Sequence, residues 1–136
     1  MLYLFDTNAI SALMRGDQAI VSWLSALPPD SRLATCTISR GEILFGIERL
    51  APGRRRIELE ASANRAFRLL PCEVVPAEAA RIYAIVKASQ QRQGLSLDEN
   101  DLWIAATTLS LRATLVTSDC DFLSISDLKT ATITPR

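Results

Sequence analysis

The residues of this chain that could do chemistry are mostly carboxylates. Asp6 follows the apolar run Leu2–Phe5 almost at the N-terminus, and Thr7 and Asn8 come directly after it. Asp119 and Asp121 follow a second apolar run, "ATLVTSD". Glu42 lies in "SRGEILFGIERLA", and Asp98, Glu99 and Asp101 crowd the start of "DENDLWIAATTLSL". An acid beside a buried strand must be solvated, paired or bound to something. Several carboxylates meeting in one crevice repel one another, and they persist together if some are protonated or if a cation sits among them. Oxygen donors without His or Cys select a hard ion, Mg²⁺ or Mn²⁺. Such an ion could activate water and clamp a phosphoryl oxygen, which fits phosphodiester hydrolysis.

The rest of the composition narrows the choice. There is no histidine, which removes Ser-His-Asp triads, histidine acid–base chemistry and His-ligated zinc. Cys36, Cys72 and Cys120 are widely spaced, unlike a zinc site or a disulfide framework, and suit a reducing, cytoplasmic setting. Cys36 and Cys72 read as small core residues. Lys plus Arg and Asp plus Glu both number 15, so any field that attracts a nucleic acid must be local. No signal peptide is expected, because Asp6 interrupts the first apolar run, and no apolar run has the length of a membrane span.

The acids need elements to position them. The apolar pattern predicts strands at 2–5, 32–39, 72–76, 113–117 and 130–134. It predicts helices over 8–14, 17–27, 39–51, 54–67, 77–92 and 98–112, with Asp17 and Ser39 as caps and Gly94 as a stop. Residues 1–136 read as one domain. Strands alternating with helices predict an α/β fold with a parallel sheet covered on both faces. In such sheets ligands bind outside the carboxyl ends of the strands, near a switch in strand order, which is where Asp6 and Asp119 would face each other if their strands are neighbours. Asp101 lies one turn before Ala105, on the side that packs toward the sheet. Asp98 and Glu99 read as capping and dipole-complementing residues. Glu42 suits either that role or function. Thr7, Asn8, Thr117 and Ser118 could orient acids or waters, or simply shape turns.

Four blocks, "LYLFDTNAISALM", "TISRGEILFGI", "LDENDLWIAATTL" and "ATLVTSDCDF", occur in that order. Together they resemble the PIN domain, and specifically the VapC-type ribonuclease toxins of toxin–antitoxin modules, over essentially the whole chain. The resemblance implies a three-layer α/β/α sandwich around a mainly parallel sheet of about five strands. It also implies a divalent-metal site (Mg²⁺ or Mn²⁺) and endoribonuclease activity. It maps the family's acids onto Asp6, Glu42, Asp101 and Asp119, with Asp121 in place of Asp119 or beside it, and matches Thr117 to a supporting loop threonine. It further implies a homodimer, an antitoxin partner that blocks the acidic site, and operator DNA bound only through that antitoxin.

An RNA substrate needs positive charge near the acids. Arg15 and Arg40 lie near the predicted ends at Asp6 and Glu42, and Arg49, Arg54, Arg55 and Arg56 cluster at one turn. A basic run is more often a solvated helix face. Trp23 reads as core, whereas Trp103 could serve an interface. Leu69, Val74 and Val75 read as core. Two other classes compete. A haloacid-dehalogenase-like phosphatase would use Asp6 as nucleophile but wants a second Asp where the chain has Asn8. A non-catalytic interaction module on the same fold would lack one of the acids, and none is missing.

Overall fold

The computed structural model describes residues 1–133. The chain runs β1 (Leu2–Phe5), α1 (Thr7–Arg15), α2 (Gln18–Ser25), β2 (Arg32–Cys36), α3 (Thr37–Glu48), α4 (Arg54–Leu69) and β3 (Cys72–Glu73). It continues with α5 (Ala79–Arg92), α6 (Glu99–Ser110), β4 (Thr114–Thr117), a 3₁₀ turn (Cys120–Ser124) and β5 (Thr130–Thr132). The strands form one sheet in the order β3-β2-β1-β4-β5, and every pairing is parallel. The chain builds outward from β1 through β2 to β3, then crosses back to place β4 on the other side of β1. The order therefore reverses between β1 and β4, and a crevice opens at their carboxyl ends.

Side-chain alternation along the strands makes three layers. Leu4 and Leu115 point to one face, where Val86 of α5 and Leu102, Ile104 and Ala105 of α6 cover them. Phe5 and Val116 point to the other, against Ile10, Ile20, Ile43, Ile47 and Ala63 from α1 to α4. Both faces of β1 are thus sealed, which explains why its residues are apolar without alternation. Trp23 packs edge-on against Tyr3 and Phe5, with centroids 5.2 and 6.1 Å away, so its core assignment holds. Helix stops follow the expected chemistry. Gly16 (φ 68°) closes α1 and Gly94 (φ 71°) follows α5, both in the left-handed region that glycine enters without a Cβ clash.

Several sequence expectations are corrected. The strand expected over 32–39 ends at Cys36, and α3 begins at Thr37. Ser39 is therefore not a cap; it is buried inside the helix, with its hydroxyl 3.7 Å from the Cys36 sulfur. Thr37 and Ile38 carry β-branched side chains that favour a strand locally, and packing of α3 on the sheet overrides that preference. The strand expected over 72–76 is only Cys72–Glu73. It is the sheet edge, and beyond it the chain has no strand partner. Val74 (73% exposed), Leu69 (56%) and Cys72 consequently face solvent rather than the core. The last strand ends at Thr132, and Thr134 lies outside the described residues.

Leu115, fully buried at the switch point, should be costly to truncate. Leu115→Ala is expected to destabilise by roughly 2–5 kcal/mol. Exposed Leu123→Ala should stay within about 0.5 kcal/mol. Urea midpoints of the two variants against the parent check the contrast.

Candidate active site

Each acid reaches the crevice from a different element. Asp6 leaves β1 with its N–H on the Val116 carbonyl (3.1 Å) and caps α1, its carboxylate accepting the Ala9 N–H at 2.8 Å. It is 3% exposed. Glu42, in the second turn of α3, accepts a 2.7 Å bond from the Thr7 hydroxyl. This bond ties α3 to α1 across 35 positions of sequence. Asp101 stands in the first turn of α6. Asp119 follows β4 and caps the 3₁₀ turn, accepting the Asp121 N–H at 2.9 Å.

Electrostatics show that these groups share one space. Burial pushes the Asp6 carboxyl up to about 6, and the charges of Asp119 and Glu42 push in the same direction. Hydrogen bonds from Thr117 and Ala9 oppose the rise without cancelling it. Asp101 is also pushed up to about 6, first by burial and then by the charges of Asp98, Glu42, Asp119 and Asp6. Glu42 and Asp119 thus act on both Asp6 and Asp101, and Asp6 acts on Asp101. Asp119 acts on both Asp6 and Asp101, whereas Asp121 is exposed and points its N–H back at Asp119.

The supporting polar residues separate clearly. Thr117 is 1% exposed; its hydroxyl stabilises ionised Asp6 and accepts the Asp119 N–H at 2.9 Å. It braces two acids at once. Thr7 braces Glu42. Asn8 is exposed and lines, with Arg15 and Ser118, a neighbouring hollow of about 210 Å³. A larger groove of about 670 Å³ meets the site at Thr7, Glu42 and Asn100 and continues along α3.

Two residues near the site were set aside or missed in the sequence. Asp98 sits at the N-cap position of α6, yet its side chain makes no capping bond and raises Asp101 instead. Asn100 gave no signal beyond being polar beside Asp101. Glu99, by contrast, turns away to Tyr83 and to Lys87, 3.1 Å from it. Trp103 stacks on Tyr83 at 4.0 Å and 5°, so its ring pairs within the chain.

Most candidate RNA-contact arginines are engaged elsewhere. Arg15 pairs with Asp17 at 2.9 Å, and Arg54 with Glu58 at 3.2 Å. Arg40 lies over the Phe67 ring, 4.5 Å from its centroid. Arg56 bonds Glu48 and Glu60, which raise its already high pKa. Arg55 is exposed.

A divalent cation fits the donor set. Asp6, Glu42, Asp101 and Asp119 offer only carboxylate oxygens, the ligands hard cations prefer, and the mutual repulsion marks a place where positive charge is stabilising. Among the described residues, the group with one ligating atom of each residue within 4.8 Å of the others is Asp119, Cys120 and Asp121, not a trio from the four acids. Cys120 and Asp121 of this group are exposed.

The raised Asp6 pKa fixes a pH dependence. Asp6 keeps its proton in the folded chain at pH values where the unfolded chain, near 3.8, has lost it. The resulting stability is full below about pH 4 and is lost as pH rises through about 6. Asp6→Asn keeps the capping acceptor but cannot ionise. In metal-free protein it should remove that loss, a gain of up to about 3 kcal/mol near neutral pH. Urea melts of parent and variant at about pH 4 and about pH 7.5 measure the difference.

The model of the PIN domain matches residues 3–128. Ribonuclease VapC1 of Haemophilus influenzae is 34% identical over 134 residues, covering 95% of this chain and 96% of that protein. Ribonuclease VapC5 of Mycobacterium tuberculosis is 32% identical over 124 residues, covering 88% and 84%. Among solved structures, VapBC-1 from nontypeable Haemophilus influenzae superposes with a TM-score of 0.85 at 27% identity, covering 97% of this chain and 98% of that one. VapBC2 from Rickettsia felis, bound to a DNA fragment from its promoter, gives 0.86 at 22% identity over the same shares, a likeness of fold. With the five-stranded parallel sheet and the four interacting acids already in place, these matches establish that the chain belongs to the PIN-domain family, among the VapC ribonucleases.

Proposed function

We propose that this chain is the ribonuclease toxin of a toxin–antitoxin pair, a hydrolase that cuts RNA phosphodiester bonds at Asp6, Glu42, Asp101 and Asp119. One observation carries the reading: acids from four elements meet at the carboxyl ends of β1 and β4, and the carboxyls of Asp6 and Asp101 are pushed up to about 6. Asp6, Glu42, Asp101 and Asp119 would hold Mg²⁺ or Mn²⁺, with Asp121 beside them. Such a cation, when bound, supplies positive charge against the phosphoryl oxygens and makes water a better nucleophile.

The chain's own residues supply the rest. Thr7 fixes the Glu42 carboxylate, and Thr117 fixes Asp6 and the loop that carries Asp119. Burial of Asp6 keeps its carboxylate in one place and lets neighbouring charges act strongly. Partners follow from the relatives. Several solved neighbours are toxin–antitoxin systems or complexes, and one VapBC pair is bound to promoter DNA, which supports an antitoxin that covers the site and operator DNA bound through it; a homodimer and a cytoplasmic setting belong to the same proposal. No helix among the described residues is long and apolar enough to cross a membrane. The phosphatase alternative gains nothing from the geometry, because the position where it wants a second acid is the exposed Asn8.

Purified protein incubated with cellular RNA tests the reading. Cleavage should stop in EDTA and return with Mn²⁺ or Mg²⁺. Undiminished cleavage in chelator sinks the metal assignment. Asp6→Asn and Asp101→Asn should each lose most of the activity while melting cooperatively. Thr7→Val removes only the brace on Glu42 and should lower the rate by roughly tenfold or more. If Thr7→Val cleaved like the parent, Glu42 would not depend on that bond.

A further inference from the structure

The groove beside the acids has a floor that the site itself does not use. From Thr7, Glu42 and Asn100 it continues past Phe45 and Gly46 to Arg49. Positions 42, 45, 46 and 49 recur at helical spacing, so they share one face of α3. Glu42 and Arg49 are about 10 Å apart along the helix axis. Ile43 and Ile47 bury the opposite face.

Phe45 is 67% exposed, while Phe5 and Phe122 are fully buried and Phe67 lies under Arg40. A large ring held in solvent by a rigid helix contributes nothing to the core. Gly41 and Gly46 flank it. A Cβ built at either would meet nothing within 4 Å, so no close packing requires glycine there. Two glycines inside a helix weaken it, and here they leave the surface on both sides of the ring flat and open. Arg49 is exposed and has no ion-pair partner among the described residues, although Arg54 and Arg56 close by are paired.

We propose that this face of α3 is the path of a single-stranded RNA, with one base stacked on Phe45 and a backbone phosphate held by Arg49. The proposal rests on the ribonuclease reading and extends it to two residues outside the acidic site, Phe45 and Arg49, that hold the RNA. An exposed ring beside a free guanidinium is the pairing that single-strand binders use, stacking for the base and charge for the backbone. The groove opens directly onto Glu42, so an occupant of it lies alongside the acids. Stacking needs a base whose face is free, which a paired stem does not offer.

Binding of a fluorescein-labelled, unstructured RNA oligonucleotide, read by anisotropy in the silent Asp6→Asn background, tests the path. Adding Phe45→Ala should weaken binding on the order of tenfold; Phe45→Trp should preserve it, and Phe45→Leu should behave like Ala. Arg49→Ala should weaken binding and lower the slope of log affinity against log salt by about 0.7, while Arg49→Lys keeps the slope. In the active chain Phe45→Ala should raise KM on unpaired RNA with kcat held, and thermal melts should match the parent because the ring is exposed. Parent-like binding by both Ala variants overturns the proposal, as does a Phe45→Leu variant that binds like the parent. It is equally overturned if Phe45→Ala changes the sedimenting mass of the chain alone while RNA binding is kept, since the face is then an interface between copies. A parent chain that neither binds nor cleaves RNA takes down the ribonuclease reading itself. Parent-like cleavage, with unchanged KM, by both the Phe45→Ala and Arg49→Ala variants takes down only this groove.

Discussion

Burial of the Asp6 carboxyl at the end of β1, with neighbouring carboxylates adding to its cost, is the constraint around which the site is organised. Asp6 is nearly sealed from water and feels Asp119 and Glu42. An isolated charge there would be expelled or neutralised. The fold holds it through bonds that favour the ionised form, from the Ala9 N–H and the Thr117 hydroxyl. The apolar strands carry the scaffolding cost. With Leu4 and Phe5 sealed on opposite faces, β1 cannot slip to carry Asp6, the residue that follows it, out toward water. A one-residue slip would exchange its two buried faces. A well-packed sheet thus imposes an arrangement of charge that the acids alone would avoid.

What was legible in the sequence is what depends on period and end position. Two apolar runs that each terminate in acids, separated by helical segments, led to a parallel sheet with Asp6 and Asp119 facing each other, and β1 does pair with β4. The position of Asp101 followed from helical geometry, because the residue a turn later packs against the sheet. Features that depend on tertiary contact were not legible. Thr7 and Glu42 are 35 positions apart, and nothing local to either points to the other. Ser39 resembled a cap because Thr37 and Ile38 resemble strand residues; only packing of α3 reveals that the helix has already begun. Val74 and Leu69 looked like core by composition but fall beside a short edge strand.

Asp98 shows how a local rule can mislead in the opposite direction. An acid before a helix has an ordinary role as a cap, and that role accounts for it without reference to the site. Its carboxylate makes no such bond and instead contributes to the field that raises Asp101. Glu99, one residue on, has the same local signature and turns away to Lys87. Adjacent helical residues differ in direction by about a quarter of a turn or more, so neighbouring acids with the same composition reach different surroundings.

Charge balance closes the argument for a cation. An RNA phosphodiester brings another negative charge to a crevice that already concentrates four carboxylates. The chain has as many basic as acidic residues, but four of the arginines are engaged with other partners. Arg15, Arg54 and Arg56 pair with acids, and Arg40 rests on an aromatic ring. No histidine exists to share a proton. Arg49 stands about two helical turns from Glu42, near enough to attract a substrate backbone and too far to neutralise the acids. A divalent ion held by the carboxylates, as proposed for this site, would supply positive charge there and would relieve the repulsion among them.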